Sequence, residues 1–187
     1  YGGTFNQLNE AFKRFGWIGH AVDPDDPENF RKAMTNKCKL IFVESMSNPA
    51  GVIVDIEAIA NIAHEAGIPL IVDNTVPSPY LCSPFEWGAD IITHSTTKFL
   101  CGNGTTVGGV VIDSGNFDWS QNDKFPNLAK AEPSYDNRNL HAEFKEMAYT
   151  VALHAVGLRD LGGCMSPQSA FYTMLGIETL PLRMEKH

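Results

Sequence analysis

Short apolar runs recur along this chain at intervals too wide for hairpins, and each one ends on polar side chains. LIFVES (40–45), PLIVDNT (69–75) and DIITHSTTK (90–98) are near-continuous and rich in β-branched residues, the pattern of strands buried on both faces of a parallel sheet. A fourth run, VGGVVID (107–113), follows. Between the first two, Ile56, Ile59, Ala60 and Ala63 fall on one helical face, Asp55 can cap the start and Gly67 can end it, which predicts a βαβ unit. Upstream, residues 5–15 read as an amphipathic helix stopped by Gly16, and 25–34 as a second with acidic residues in its first turn. Residues 114–139 are rich in Asn, Asp, Pro and Ser and long for a loop, so a functional or mobile insertion is expected there. Helical patterning returns over 141–161 and again from Pro167. The predicted class is α/β, a mostly parallel sheet with helices on both faces in three layers.

Composition narrows the function. At 187 residues and 43% hydrophobic, the chain suits one globular domain, and a formal charge of -8 argues against nucleic acid or an anionic membrane as partner. No apolar run approaches the roughly 18 residues of a membrane span, so a soluble protein is expected. Cys38, Cys82, Cys101 and Cys164 lack CxxC spacing and read as reduced cytoplasmic thiols. His64-Glu65 is not completed to HExxH, and no metal constellation is evident. Tyr1 opens on a Gly-rich turn without an initiator Met and PLRMEKH stops inside a helix-like pattern, so a fragment is expected.

Open α/β sheets bind ligands outside the carboxyl ends of their strands, which directs attention to residues 44–48, 73–75 and 95–98. Lys98 follows Ser95, Thr96 and Thr97, and a lysine recessed at a strand end is readily tuned as an amine nucleophile or base; alone, it is more simply a surface lysine. Asp73 closes an apolar strand, where a carboxylate needs a cation or donors, and a protonated pyridine nitrogen would serve; a turn-forming Asp is the plainer alternative. On a continuing strand Ser95 and Thr97 would share a face and offer hydroxyls to a phosphate. CGNGTTVGG (101–109) is neither a P-loop nor GxGxxG, and Asn103-Gly104 reads as a tight turn into the next strand.

Together these residues resemble the Cys/Met-metabolism family of pyridoxal-phosphate enzymes, the cystathionine-synthase-like branch of fold type I, over essentially the whole chain. VDNTVPSPYLCSPFEWGADIITHSTTKFLCGNG is similar to the family signature, in which an Asp precedes the Schiff-base lysine by a fixed interval. The resemblance implies that Lys98 carries pyridoxal 5'-phosphate and most of the proton traffic, and that Asp73 meets the pyridinium nitrogen. It also implies that Asn48 lies near the phenolic oxygen, that Ser95 and Thr97 surround phosphate and lysine, and that Tyr1 stacks on the ring and assists leaving-group departure.

Within the family, DPDDPENF, ESMSNPAG and the stretch LRDLGGCMSPQSAFYTMLGIETLPLRMEKH point to a γ-replacement on O-acetylhomoserine with sulfide, giving homocysteine and acetate in methionine biosynthesis. The resemblance further implies a homotetramer built from dimers. It makes residues 1–187 an incomplete large cofactor-binding domain, without the upstream phosphate loop and the C-terminal small domain, and so weak or inactive alone. A cystathionine γ-synthase or γ-lyase of the same family, or a non-catalytic doubly wound ligand-binding module, are the competing readings.

Overall fold

A computed structural model describes residues 1–187 and shows a four-stranded sheet in the order β1-β2-β3-β4. Strands β1 (Ile41–Glu44), β2 (Leu70–Asp73) and β3 (Ile91–Ser95) run parallel, and β4 (Gly109–Asp113) runs antiparallel beside β3. In register, Glu44 lies opposite Asp73, Asp73 opposite Thr93, and Ser95 opposite Gly109. The carboxyl ends of all three parallel strands therefore form one edge.

The helices in chain order are α1 (Gly2–Asn6), α2 (Glu28–Ala33), α3 (Ile56–Glu65), the single turns α4 (Ser78–Leu81) and α5 (Pro126–Ala129), α6 (Leu140–Phe144), α7 (Ala148–Ala152), α8 (Pro167–Glu178) and α9 (Leu180–Lys186). The expected βαβ unit is present. Asp55 accepts from the Ala58 N–H at 3.0 Å, and Gly67 turns the chain at φ +64° after α3. Ile59, Ala60, Ile62 and Ala63 of α3 bury against Ile41, Val43, Leu70, Val72 and Ile92 on one face of the sheet. Each large side chain fully withdrawn here, such as Ile59 or Leu70, contributes about 1.5–3 kcal/mol.

The opposite face differs from expectation. Residues 114–139 are not a free loop: Phe117, Trp119 and Leu128 bury against Ile91, Leu140 and Ala148, with Ile71 packed alongside, and Trp119 stacks on Tyr149 at 5.1 Å between ring centroids. Asn122 donates to the Gly67 carbonyl (2.7 Å) and Lys124 to that of Ala66 (2.9 Å), closing the C-terminal end of α3. Asn, Asp and Ser make local turns between aromatic anchors, and the anchors supply the second helical layer with α5 and a short hairpin, β5 (Ala131–Glu132) with β6 (Arg138–Asn139).

Other boundaries shift. The N-terminal helix begins at Gly2, continues as a π-helical stretch Gln7–Ala11 and a 3₁₀ turn Phe12–Phe15, and ends at Gly16 (φ +80°). The 141–161 helix is broken at Lys145, whose φ is +48°. β3 ends at Ser95 rather than running on to Lys98. Thr75 Oγ1 takes the Ser95 N–H on one side. On the other, the Thr96 N–H still reaches the Gly108 carbonyl, but the Gly108 N–H goes to the Thr97 hydroxyl and the Thr96 carbonyl accepts from the Cys101 N–H, so the ladder ends and the chain coils into a π-helical turn, Thr96–Leu100. No helix is long and apolar enough to cross a membrane.

At the amino edge of the strands, Asp90 is 4% exposed and its Oδ2 accepts from the Leu70 N–H and from His64 Nε2, both at 2.8 Å. The hydrogen bond to Asp90 raises the His64 pKa above the ordinary histidine value, with the Asp90 charge assisting and partial burial opposing. A raised folded-state pKa means stabilisation that is complete below the unfolded value of about 6.5 and is lost as pH climbs through the folded one. Urea midpoints measured from pH 5 to 9 are therefore expected to show the advantage of the parent over H64Q shrinking with rising pH. A constant difference would show that protonation of His64 does not contribute.

Candidate active site

Asp73 ends β2 and is held by its own turn. Its Oδ1 accepts from the Thr75 N–H (3.0 Å) and the Thr75 hydroxyl (2.5 Å), while Oδ2 is left open. Beneath it lies a buried polar knot. Asn74, fully buried, accepts from Ser45 Oγ (2.8 Å) and donates to the carbonyls of Ser78 (3.1 Å) and Cys82 (2.8 Å), fixing the loop after β2. Each polar atom of that amide has a partner, so the knot costs little to bury and holds the loop in one shape.

Lys98 lies in the turn after β3, exposed, with φ -91° and ψ -123°, outside the helical values of its neighbours. Its ammonium group takes part in none of the ion pairs of the molecule. The turn is closed by Cys101 N–H to the Thr96 carbonyl (2.9 Å) and Gly102 N–H to that of Lys98 (2.7 Å). From below, Arg183 of α9 donates to the carbonyls of Phe99 and Gly176, both at 2.7 Å.

Ser95 and Thr97 do not share a strand face, because Thr97 already belongs to the turn. The Thr97 hydroxyl is engaged with Gly108, accepting from its N–H (3.0 Å) and donating to its carbonyl (3.3 Å), whereas the Ser95 hydroxyl makes no protein contact of this kind. His94, 4% exposed, has an unpartnered Nδ1; burial lowers its pKa, with the Asp73 charge partly offsetting.

Tyr1 and Asn48 meet through Glu44 at the end of β1. Glu44 Oε1 accepts from the backbone nitrogen of Tyr1 (2.5 Å) and Oε2 from the Asn48 N–H (3.0 Å). The Tyr1 ring lies over Gly3 and is 60% exposed. Five of the six residues singled out in the sequence thus stand on or beside one edge, with Thr97 committed to Gly108. Thr75, Glu44, Asn74 and Arg183 were not assigned roles, since their parts depend on partners distant in sequence.

An open carboxylate oxygen, a free primary amine and a free hydroxyl at the ends of adjacent strands form a donor set suited to a group with a cationic N–H, a carbonyl carbon and an anion. Fold and site together define a three-layer α/β protein with Asp73 and Lys98 following adjacent strands at the carboxyl edge of its sheet. The chain belongs to the Cys/Met metabolism PLP-dependent enzyme family, whose sequence profile it matches over residues 1–187. An O-acetyl-L-homoserine sulfhydrylase of Leptospira meyeri is 45% identical over 100% of this chain and 44% of that protein. A homocysteine/cysteine synthase of Saccharomyces cerevisiae is 42% identical over 100% of this chain and 43% of its own. A crystal structure from Campylobacter jejuni, described as an O-acetylhomoserine (thiol)-lyase with N'-pyridoxyl-lysine-5'-monophosphate, superposes with a TM-score of 0.95 at 38% identity, covering 100% of this chain and 46% of that one. The chain thus spans under half the length of the relatives it matches.

Proposed function

We propose that the whole protein catalyses a pyridoxal-phosphate-dependent γ-replacement in which sulfide displaces acetate from O-acetylhomoserine to give homocysteine. The observation that carries this reading is the 45% identity to the Leptospira meyeri sulfhydrylase over the entire chain. The geometry supports it, because Lys98, Asp73 and Ser95 each present a free group toward one edge of the sheet.

When bound, pyridoxal phosphate supplies an electron-withdrawing ring that makes hydrogens near the amino group acidic. The protein's part is to hold, orient and move protons. Lys98 would hold the carbonyl carbon of the cofactor, and its Nζ would take the substrate's α-proton and return protons later in the reaction. Asp73 Oδ2 accepts from the ring N–H, keeping that nitrogen cationic. Ser95 donates to the phosphate, with Thr97 bracing the turn beside it through Gly108. Asn48 lies toward the phenolic oxygen, and the Tyr1 ring stacks and assists acetate departure. Residues 1–187 form the large cofactor-binding domain, and assembly into a homotetramer built from dimers in the cytoplasm belongs to the same reading.

The test is an absorbance spectrum of the protein with pyridoxal phosphate before and after borohydride, followed by peptide mapping and product assay. Label on Lys98 together with sulfide-dependent homocysteine formation supports the proposal. Label on another lysine overturns the site, and a preference for cysteine, or turnover without an acceptor, reassigns the reaction to a γ-synthase or γ-lyase.

A further inference from the structure

Thr75 is the only side chain that joins the Asp73 carboxylate to the strand leading into the Lys98 turn. Its hydroxyl donates to Asp73 Oδ1 (2.5 Å) and accepts from the Ser95 N–H (2.8 Å), while its own N–H adds a second bond to Oδ1 (3.0 Å). Beyond the last ladder pair between these strands, Asp73 with Thr93, this hydroxyl takes over the bridge between their ends. With both donors on Oδ1, rotation of the carboxylate is arrested and Oδ2 is the oxygen left to face outward.

We infer that Thr75 is a positioning residue that sets the orientation of Asp73 relative to the Lys98 turn, and so governs how tightly the ring nitrogen of pyridoxal phosphate is held. This rests on the proposed role of Asp73. A β-branched side chain suits the task, because its χ1 freedom is restricted and little is lost in holding the hydroxyl between its two partners.

The experiment titrates the cofactor-free whole protein with pyridoxal 5'-phosphate, following the visible absorption band, for the parent and for T75V, T75S, D73N and D73N/T75V. T75V, equal in shape but without the hydroxyl, is expected to weaken binding by about 10- to 100-fold, the size of one lost hydrogen bond to a charged group. T75S should bind close to the parent. In the D73N background, T75V should add little, since the residue acts through Asp73. Unchanged binding in T75V, or effects of T75V and D73N that simply multiply, overturns the inference while leaving the role of Asp73 intact. If D73N itself leaves both affinity and band unchanged, the role of Asp73 fails first and the inference with it. Should T75V prove unfolded by circular dichroism, T75C removes the strong donor without the second β-branch and carries the same expectation.

Discussion

Replacing Lys98 by alanine is expected to abolish homocysteine formation from O-acetylhomoserine and sulfide by at least about 10³-fold, because one side chain would lose both its covalent and its proton-transfer roles. K98R keeps the charge but cannot condense with a carbonyl at neutral pH, and should be as inactive. The fold should not suffer, since Lys98 is exposed and outside the ion-pair network, while the turn it occupies is closed by backbone bonds and by Arg183. Matching circular dichroism and urea midpoints with no turnover and no borohydride-stable label would complete the result. Turnover within tenfold of the parent would remove Lys98 from the chemistry.

The second large effect lies beneath the site. A Cβ on Gly176 would sit 2.1 Å from the Cys101 carbonyl oxygen and 2.4 Å from that of Leu100, so α8 touches the Lys98 turn backbone to backbone. In G176A the gain in helix propensity, about 1 kcal/mol, opposes an overpacking cost of about 3 kcal/mol, and the clash wins because carbonyl oxygens fixed in a turn cannot rotate aside. The net loss of about 2 kcal/mol corresponds to a Tm lower by about 4–8 °C for a domain of this size. G176V, larger and β-branched, should lose more and disturb cofactor binding as well, since α8 would have to withdraw together with the Gly176 carbonyl that Arg183 ties to Phe99. Thermal melts of both variants decide it, and a G176A protein as stable as the parent would show that the helix and turn are free to separate.

Local chemistry made much of this architecture legible. The apolar runs ending at Glu44, Asp73 and Ser95, and the capped helix after Asp55, follow from periodicity and short-range bonds that the sequence carries openly. The strand-end rule was enough to direct attention to Asp73 and Lys98. Two features were hidden. SerThrThrLys is β-branched and reads as strand, yet its coil into a turn is decided by Gly108 and Thr75, which no local pattern announces. Residues 114–139 read as a loop because turn formers outnumber the aromatic side chains, although Phe117, Trp119 and Leu128 decide where the segment lies. The same holds for Glu44 and Asn74, whose carboxylate and amide acquire their roles from partners up to 43 residues away.

The docked insertion gives the protein a built-in optical reporter. Of its three tryptophans, Trp17 and Trp87 are 55% and 49% exposed, whereas Trp119 is 5% exposed and stacked on Tyr149. Within residues 1–187, iodide will quench the first two readily, and the residual blue-edge emission comes from Trp119. Loosening of the layer on that face of the sheet therefore emits its own signal, separable in wavelength from events at the lysine edge.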